Sequence, residues 1–201
     1  MVILYEAYGN LYINMTNRCP CACTFCLRQT RDEMEGSGSL WLEREPTVEE
    51  IKAEFDKFDV EKYGEIVFCG FGEPTERLDD MLEVCRFIRA NFDKKIRINT
   101  NGLCDLIHGR DTAPMFSGLA DIISISLNTP NKERYLELTR SKFGIGSFDA
   151  MLKFAENVGK YVETVVLSTV ATTLTEEEEK ECAQICRKIG VTYRIRPFEE
   201  D

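Results

Sequence analysis

The run Cys19-Pro20-Cys21-Ala22-Cys23-Thr24-Phe25-Cys26 gathers four of the chain's nine cysteines into eight residues. Three of them, Cys19, Cys23 and Cys26, follow a strand-like segment at the spacing C-x3-C-x2-C. Four thiolates close an iron–sulfur cluster, so three leave one iron open to a small molecule, and cluster and ligand can then react with each other. Cys21 falls outside that spacing and reads as a bystander in the loop. The competing reading is structural zinc, but such sites take a second close pair of ligands, and no further CxxC follows. His108 is the only histidine, which excludes a histidine-rich zinc or non-haem iron site. Cys182 and Cys186 sit on an apolar helical stripe and read as buried hydrophobes. Cys69 and Cys104 lie near predicted strand ends, where they either face a pocket or pack.

Further polar groups recur at strand ends. Phe68-Cys69-Gly70-Phe71-Gly72-Glu73-Pro74 leaves the second predicted strand, Asn99-Thr100-Asn101-Gly102 closes the third, and Ser124-x-Ser126-x-Asn128 lines the fourth. Asn and Ser at such places either bind a ligand or cap the following turn. Arg97, Arg194 and Arg196 either supply positive charge to a lumen or reach out to solvent.

The elements that must position these groups alternate along the chain. Strands are expected at residues 10–16, 65–70, 95–100, 121–128, 163–171 and 192–198. Between them, Val48, Ile51, Phe55 and Phe58 form one helical stripe, and Leu78, Leu82, Cys85, Ile88 and Phe92 a second. Phe148, Met151, Leu152, Ala155 and Val158 form a third, and Cys182, Ile185, Cys186 and Ile189 a fourth that Gly190 stops. Thr47 and Glu50 read as a capping box, and the carboxylates of residues 176–179 suit a helix start. Strand–helix alternation means a parallel sheet with crossover helices. One face of these strands is apolar (Ile13 and Met15, Ile96 and Ile98, Ile123, Ile125 and Leu127, Tyr193 and Ile195). The other is polar (Asn14 and Thr16, Arg97 and Asn99, Ser124, Ser126 and Asn128, Arg194 and Arg196). Unpaired, each such group would cost about 1–3 kcal/mol to bury, so the polar face must line a wet or ligand-filled space. The fold expected is α/β, an open, partial (β/α)6 TIM-like barrel with its chemistry at the carboxyl ends of the strands, where the cysteine run lies.

At 201 residues, 43% hydrophobic, the chain buries one core. One domain over 1–201 is expected, with a cysteine loop at 17–27 and a candidate lid at 28–45, the longest irregular stretch. No run of 18 apolar residues and no signal-peptide pattern is visible, which points to the cytoplasm and to no membrane partner. A reducing compartment favours metal ligation or burial of the cysteines over disulfides. The formal net charge of −10 argues against a nucleic-acid partner and for a small-molecule or protein substrate.

The cysteine spacing resembles the signature of the radical S-adenosylmethionine (SAM) superfamily. That resemblance implies a [4Fe-4S] cluster on Cys19, Cys23 and Cys26, SAM chelated at the open iron, an external one-electron reductant, and a 5′-deoxyadenosyl radical that takes hydrogen from substrate. Phe71-Gly72-Glu73-Pro74 resembles the superfamily's G-G-E-P motif, which binds the SAM amino group; Phe71 replaces the first glycine. The resemblance places Phe25 near the adenine. It assigns Asn99, Ser124, Ser126, Asn128 and Arg196 to the ribose and carboxylate of SAM. Residues 12–21, 40–47 and 68–77 further resemble the small TatD-associated radical SAM family, which is associated with queuine lyase, an enzyme of 7-deazaguanine salvage. A 7-deazapurine base would then be the substrate, with Asn14, Trp41, Glu43, Glu45 and Arg97, together with Glu199 and Glu200, as the candidates to contact it. Two alternatives remain: an activase that installs a glycyl radical on a partner protein, and a non-enzymatic iron–sulfur electron carrier or sensor.

Overall fold

The structure is a computed structural model and describes residues 1–197; residues 198–201, and with them Glu199, Glu200 and the end of the last predicted strand, lie outside the described residues. Strands β1 (Leu4–Ala7) and β2 (Asn10–Ile13) form an antiparallel hairpin. Its two-residue turn, Tyr8-Gly9, has φ of 50° and 72°, the positive pair that matches the right-handed twist of the flanking strands. From β2 onward every neighbour is parallel: β3 (Glu65–Phe68), β4 (Lys95–Thr100), β5 (Ile122–Ser126), β6 (Thr164–Val170) and β7 (Thr192–Arg196). The sheet runs β1 to β7 in chain order and is not closed. It is thus the partial parallel barrel expected, with β1 as a seventh strand added by the hairpin. The first parallel strand stops at Ile13 rather than at residue 16, because Asn14 and Thr16 turn their side chains to loop partners described below.

The helices are α1 (Val48–Glu54), α2 (Leu78–Asn91), α3 (Cys104–His108), α4 (Lys132–Thr139), α5 (Ser147–Val158) and α6 (Glu176–Ile189). Thr47 and Thr175 close capping boxes with Glu50 and Glu178, and Gly190 ends α6 in the left-handed region at φ 75°. The sequence pattern does not foresee α3 or α4, both too short to show a stripe. Among the described residues no helix is long and apolar enough to cross a membrane.

The two faces of the sheet bury different things. On the convex side Ile96, Ile98, Ile123, Ile125 and Leu127 are fully buried among Met81, Cys85, Phe116, Met151 and Phe154. Each such side chain contributes roughly 1.5–3 kcal/mol by leaving water. The expected greasy face is covered over β4 and β5, and Cys182 and Cys186 are buried with it, but on the edge strand β7 Tyr193 is only half-buried and Ile195 is 42% exposed. The concave side is less uniform than the polar lining expected. Its β1–β3 half holds a second apolar cluster of Tyr5, Ala7, Tyr12, Leu40, Val67 and Phe71, with Tyr5 and Tyr12 stacked at 5.1 Å. The β4–β7 half keeps its polar groups half-buried: Arg97, Asn99, Ser124 and Ser126.

Candidate active site

Residues 17–27 have almost no regular structure and hold their shape through bonds to other elements. The end of α4 clamps them: Ala22 N–H donates to Thr139 O and Thr24 N–H to Leu138 O, both at 2.9 Å, and beyond the helix Lys142 N–H reaches Pro20 O at 2.9 Å. Arg28 adds a bond to Cys21 O at 3.3 Å. Cys19, Cys23 and Cys26 are half-buried, whereas Cys21 is buried in the main core. The Cys21 thiol hydrogen-bonds the sulfurs of Cys19 and Cys23, which lowers the pKa of both and raises its own. Burial raises Cys26, with Arg28 opposing. Cys21 is thus no remote bystander but a member of the sulfur group. Asn101 Nδ2 also points at it, 3.8 Å from Cys19 Sγ and 4.0 Å from Cys21 Sγ. Among the described residues no three such donors are drawn onto a single-ion centre.

The loop after β3 docks directly on this segment. Glu73 N–H donates to Arg18 O at 2.8 Å, and a methyl group at Gly72 would collide with the carbonyl oxygens of Thr16 and Arg18. Gly70 is equally tight against Asn14 Oδ1. Glycine is required at these two positions by close approach of the chain. Glu73 itself is buried and ties the loop to the end of β4. Its Oε1 accepts from Thr100 Oγ1 and Thr75 Oγ1, both at 2.7 Å, and from Thr75 N–H at 3.1 Å; its Oε2 accepts from Asn101 N–H at 2.7 Å. Burial raises its pKa and these donors pull against that rise. The carboxylate is therefore fully engaged within the protein.

Strand register fixes the bowl beneath. Cys69 follows β3 at the level of Asn14 and Asn99, and Asn99 pairs with Ser124, then Ser124 with Val166. Asn99 Oδ1 and Asn14 Oδ1 are buried without a hydrogen-bond partner. Burial raises the Cys69 thiol, while a hydrogen bond from Asn99 and the charges of Arg97 and Arg196 lower it. Asn128 stands half-buried in the left-handed region at φ 65°, and Arg196 lies on the exposed edge strand. Phe25 is exposed beside the sulfurs.

The substrate candidates separate. Arg97 Nε lies 3.1 Å from Glu65 Oε2, an ion pair without an aligned hydrogen bond, one level below Asn99. Asn14 Nδ2 donates to Val2 O and Leu40 O at 3.1 and 2.8 Å and so holds a wall. Trp41 meets Phe71 edge-on at 5.1 Å and donates from Nε1 to Asp32 at 3.2 Å. Glu43 is exposed. Glu45 is turned away from the bowl: Thr16 and Arg18 bond it at 2.5 and 2.7 Å, in a groove shared with Glu76, Arg77 and Asp80. The stretch 28–45 is only partly lid-like, since Leu40 and Leu42 are buried and Asn17 grips the backbone of Leu42 through both amide atoms.

The open parallel half-barrel thus carries three half-buried thiols on the loop after its first parallel strand, with unpaired amide oxygens near the strand ends below them. The chain matches the Radical SAM superfamily over residues 13–186, and it belongs to that superfamily, whose cofactors are a [4Fe-4S] cluster and SAM. It is 32% identical over 149 residues to a GTP 3′,8-cyclase of Corynebacterium glutamicum, covering 69% of this chain and 37% of the relative. A probable dual-specificity RNA methyltransferase RlmN 1 of Protochlamydia amoebophila is 23% identical over 211 residues, covering 98% and 55%. Streptococcus suis SuiB bound to its precursor peptide SuiA superposes with a TM-score of 0.70 at 16% identity, covering 94% of this chain and 39% of that one. The chain thus spans from about a third to just over half the length of these proteins. The donor set fits the cofactors: three thiols on one loop, a glycine cradle beside them, and amide oxygens without partners.

Asn17, Tyr135 and Thr139 shape the site without having been singled out from the sequence. Their signal was weak, since each acts through a backbone or cross-loop bond. Because backbone oxygens face Gly72, Gly72→Ala is expected to destabilise the chain by about 1–3 kcal/mol. A lowered urea midpoint at unchanged slope would show it; a wild-type midpoint would refute the tight docking of the two loops.

Proposed function

We propose that this chain is the catalytic core of a radical SAM enzyme, a single unit in which Cys19, Cys23 and Cys26 ligate a [4Fe-4S] cluster and SAM occupies the open iron. The observation that carries this reading is the clamped loop: three half-buried thiols are braced from one side by α4 and from the other by Gly72 and Glu73. Bound together, cluster and SAM supply one-electron reductive cleavage followed by hydrogen-atom abstraction, with an external reductant as electron source. The protein's share is orientation and exclusion of water. With the Glu73 carboxylate engaged, backbone carbonyls of the Phe71–Pro74 turn are left to receive the SAM amino group. Asn99, Ser124, Ser126 and Asn128 offer neutral acceptors and donors to a ribose, Arg196 offers charge to a carboxylate, and Phe25 stands where an adenine would lie.

For the substrate we favour a small planar heterocycle in a cytosolic setting, and specifically a 7-deazapurine such as queuine, cleaved at its side chain. The local sequence likeness at 12–21, 40–47 and 68–77 supports it, as do the aromatic walls of Tyr12, Trp41 and Phe71. Of the earlier candidates, Trp41 and Glu43 are exposed, whereas Asn14, Arg97 and Glu45 are bonded to or ion-paired with other parts of the chain. The acidic charge favours a free base over RNA, but one relative is an RNA methyltransferase by name, so charge alone does not decide between them.

Anaerobic reconstitution tests the core reading. The wild-type chain should take up about four irons, Cys19→Ala, Cys23→Ala and Cys26→Ala should each abolish the cluster, and Cys21→Ala should keep it; zinc uptake in place of iron, or the reverse cysteine pattern, would overturn the ligand set. With reductant and SAM, free queuine should be consumed and a simpler 7-deazaguanine released. Turnover of an RNA or glycyl-peptide substrate instead would replace the lyase by one of the macromolecular readings. SAM binding without cleavage would favour the carrier or sensor. Trp41→Ala should raise unproductive SAM cleavage per product formed, because the ring edge on Phe71 shields the mouth; an unchanged ratio counts against a shielding role for Trp41.

A further inference from the structure

Asn101 follows directly on β4, and each end of its amide is placed. Its backbone N–H donates to Glu73 Oε2 at 2.7 Å, and its Oδ1 accepts from Leu103 N–H at 2.9 Å. The second bond decides which way the amide faces, because an inverted amide would set its NH2 group against that N–H. Nδ2 is therefore the atom turned to the cysteine loop, 3.8 Å from Cys19 Sγ and 4.0 Å from Cys21 Sγ, long contacts but within hydrogen-bond reach of a sulfur. An amide nitrogen carries two hydrogens, enough for both sulfurs. The turn itself is fixed. Gly102 N–H donates to Thr100 Oγ1 at 3.0 Å, and a side chain at Gly102, which has φ of 77°, would lie 2.8 Å from Ile125 Cγ2 and Met151 Cγ. Glu73 N–H reaches Arg18 O, next to Cys19, at 2.8 Å. Asn101 thus closes a ring: its backbone holds Glu73, Glu73 holds Arg18, and its side chain meets the sulfur of the following residue. In this it differs from Asn99, whose Oδ1 has no partner.

We infer that Asn101 is a positioning residue that donates a hydrogen bond from Nδ2 to the Cys19 sulfur, and so raises the reduction potential of the cluster that this thiolate ligates. The inference rests on the cluster-binding reading above. A reduced cluster carries one more negative charge, so a donor aimed at a ligating sulfur stabilises it more than the oxidised form; hydrogen bonding to sulfur is one of the protein's levers on potential. Because Asn101 N–H also holds Glu73, one residue braces the rim and tunes the electronics of its first thiolate.

The test uses the anaerobically reconstituted full chain without SAM and reads the midpoint potential by EPR-monitored redox titration. Asn101→Ser keeps a side-chain acceptor for the turn but withdraws the amide donor; reduction should become about tenfold less favourable, a shift of about 59 mV to lower potential for a one-electron couple. Asn101→Asp keeps the shape and the bond from Leu103 and puts an acceptor where the donor stood, so its midpoint should fall further. A wild-type midpoint in the loaded Ser variant, or a rise in either variant, overturns the role of Asn101 while leaving the cluster assignment intact. Where the variants load poorly, the wild-type chain labelled with nitrogen-15 at its asparagine side-chain amides decides. The reduced cluster should show a weak hyperfine coupling to that nitrogen, and absence of any such coupling overturns the bond. Failure of the wild-type chain to bind any iron–sulfur cluster overturns the ligand assignment, and this inference with it.

Discussion

A carboxylate out of water is costly, and Glu73 shows how that cost is turned into geometry. Alone, a buried charge would be penalised by several kcal/mol. Four donors, from Thr75, Thr100 and the Asn101 backbone, converge on its two oxygens, and hydrogen bonds to charged groups are individually the stronger kind. Those donors come from the turn after β3 and from the end of β4, so the ion cannot be satisfied unless both are in register. The same turn donates Glu73 N–H to Arg18 and lays Gly72 on the Thr16 and Arg18 carbonyls. One buried ion thereby ties two strand ends and the cysteine loop into a single rim. A Gln at this position would keep the shape but place an amide hydrogen where a donor already points.

The rim stands over a bowl whose halves have opposite characters. Under β1–β3, Leu40 and Phe71 fold onto Tyr5, Tyr12 and Val67, so the chain fills its own lumen there. Under β4 and β5, Asn99 and Ser124 remain half-buried on paired positions, with Val166 of β6 next in register. Hydrophobic burial thus makes one wall rigid, and polar groups left open make the other receptive. A ligand entering from the carboxyl ends meets thiols and unpaired amide oxygens on one side and the Trp41–Phe71 edge contact on the other. Radical chemistry needs this combination of exclusion and orientation.

Much of this architecture was legible in the residues. The alternation of Ile96 and Ile98 with Arg97 and Asn99, repeated in Ile123, Ile125, Ser124 and Ser126, gave the sheet its two faces, and a period of two admits no other assignment once one face is buried. Capping boxes at Thr47 and Thr175 and the stop at Gly190 were equally plain. The hairpin strand β1 was not legible, because Leu4–Ala7 is four residues long and finds its partner only through the Tyr8-Gly9 turn. Nor was α4, in which Tyr135 and Thr139 are the only buried residues. Two side chains make no stripe, so periodicity is silent about the helix whose last turn bonds the cysteine loop. The place of Cys21 was not legible for a related reason. Spacing along the chain says which cysteines suit a ligand pattern, but only tertiary bonds say where the fourth sulfur goes.

That dependence on tertiary bonds has a consequence for how the site forms. Residues 17–27 carry no helix or strand of their own beyond the start of a short 3-10 turn at Leu27–Gln29, so their conformation is borrowed from Thr139, Leu138 and Arg18, residues up to more than a hundred positions away in sequence. Closing loops of that length is entropically expensive and comes late in folding. The thiols are gathered by contacts that the assembled half-barrel supplies, and a ligand that binds all of them stabilises the assembled state over any open one by mass action.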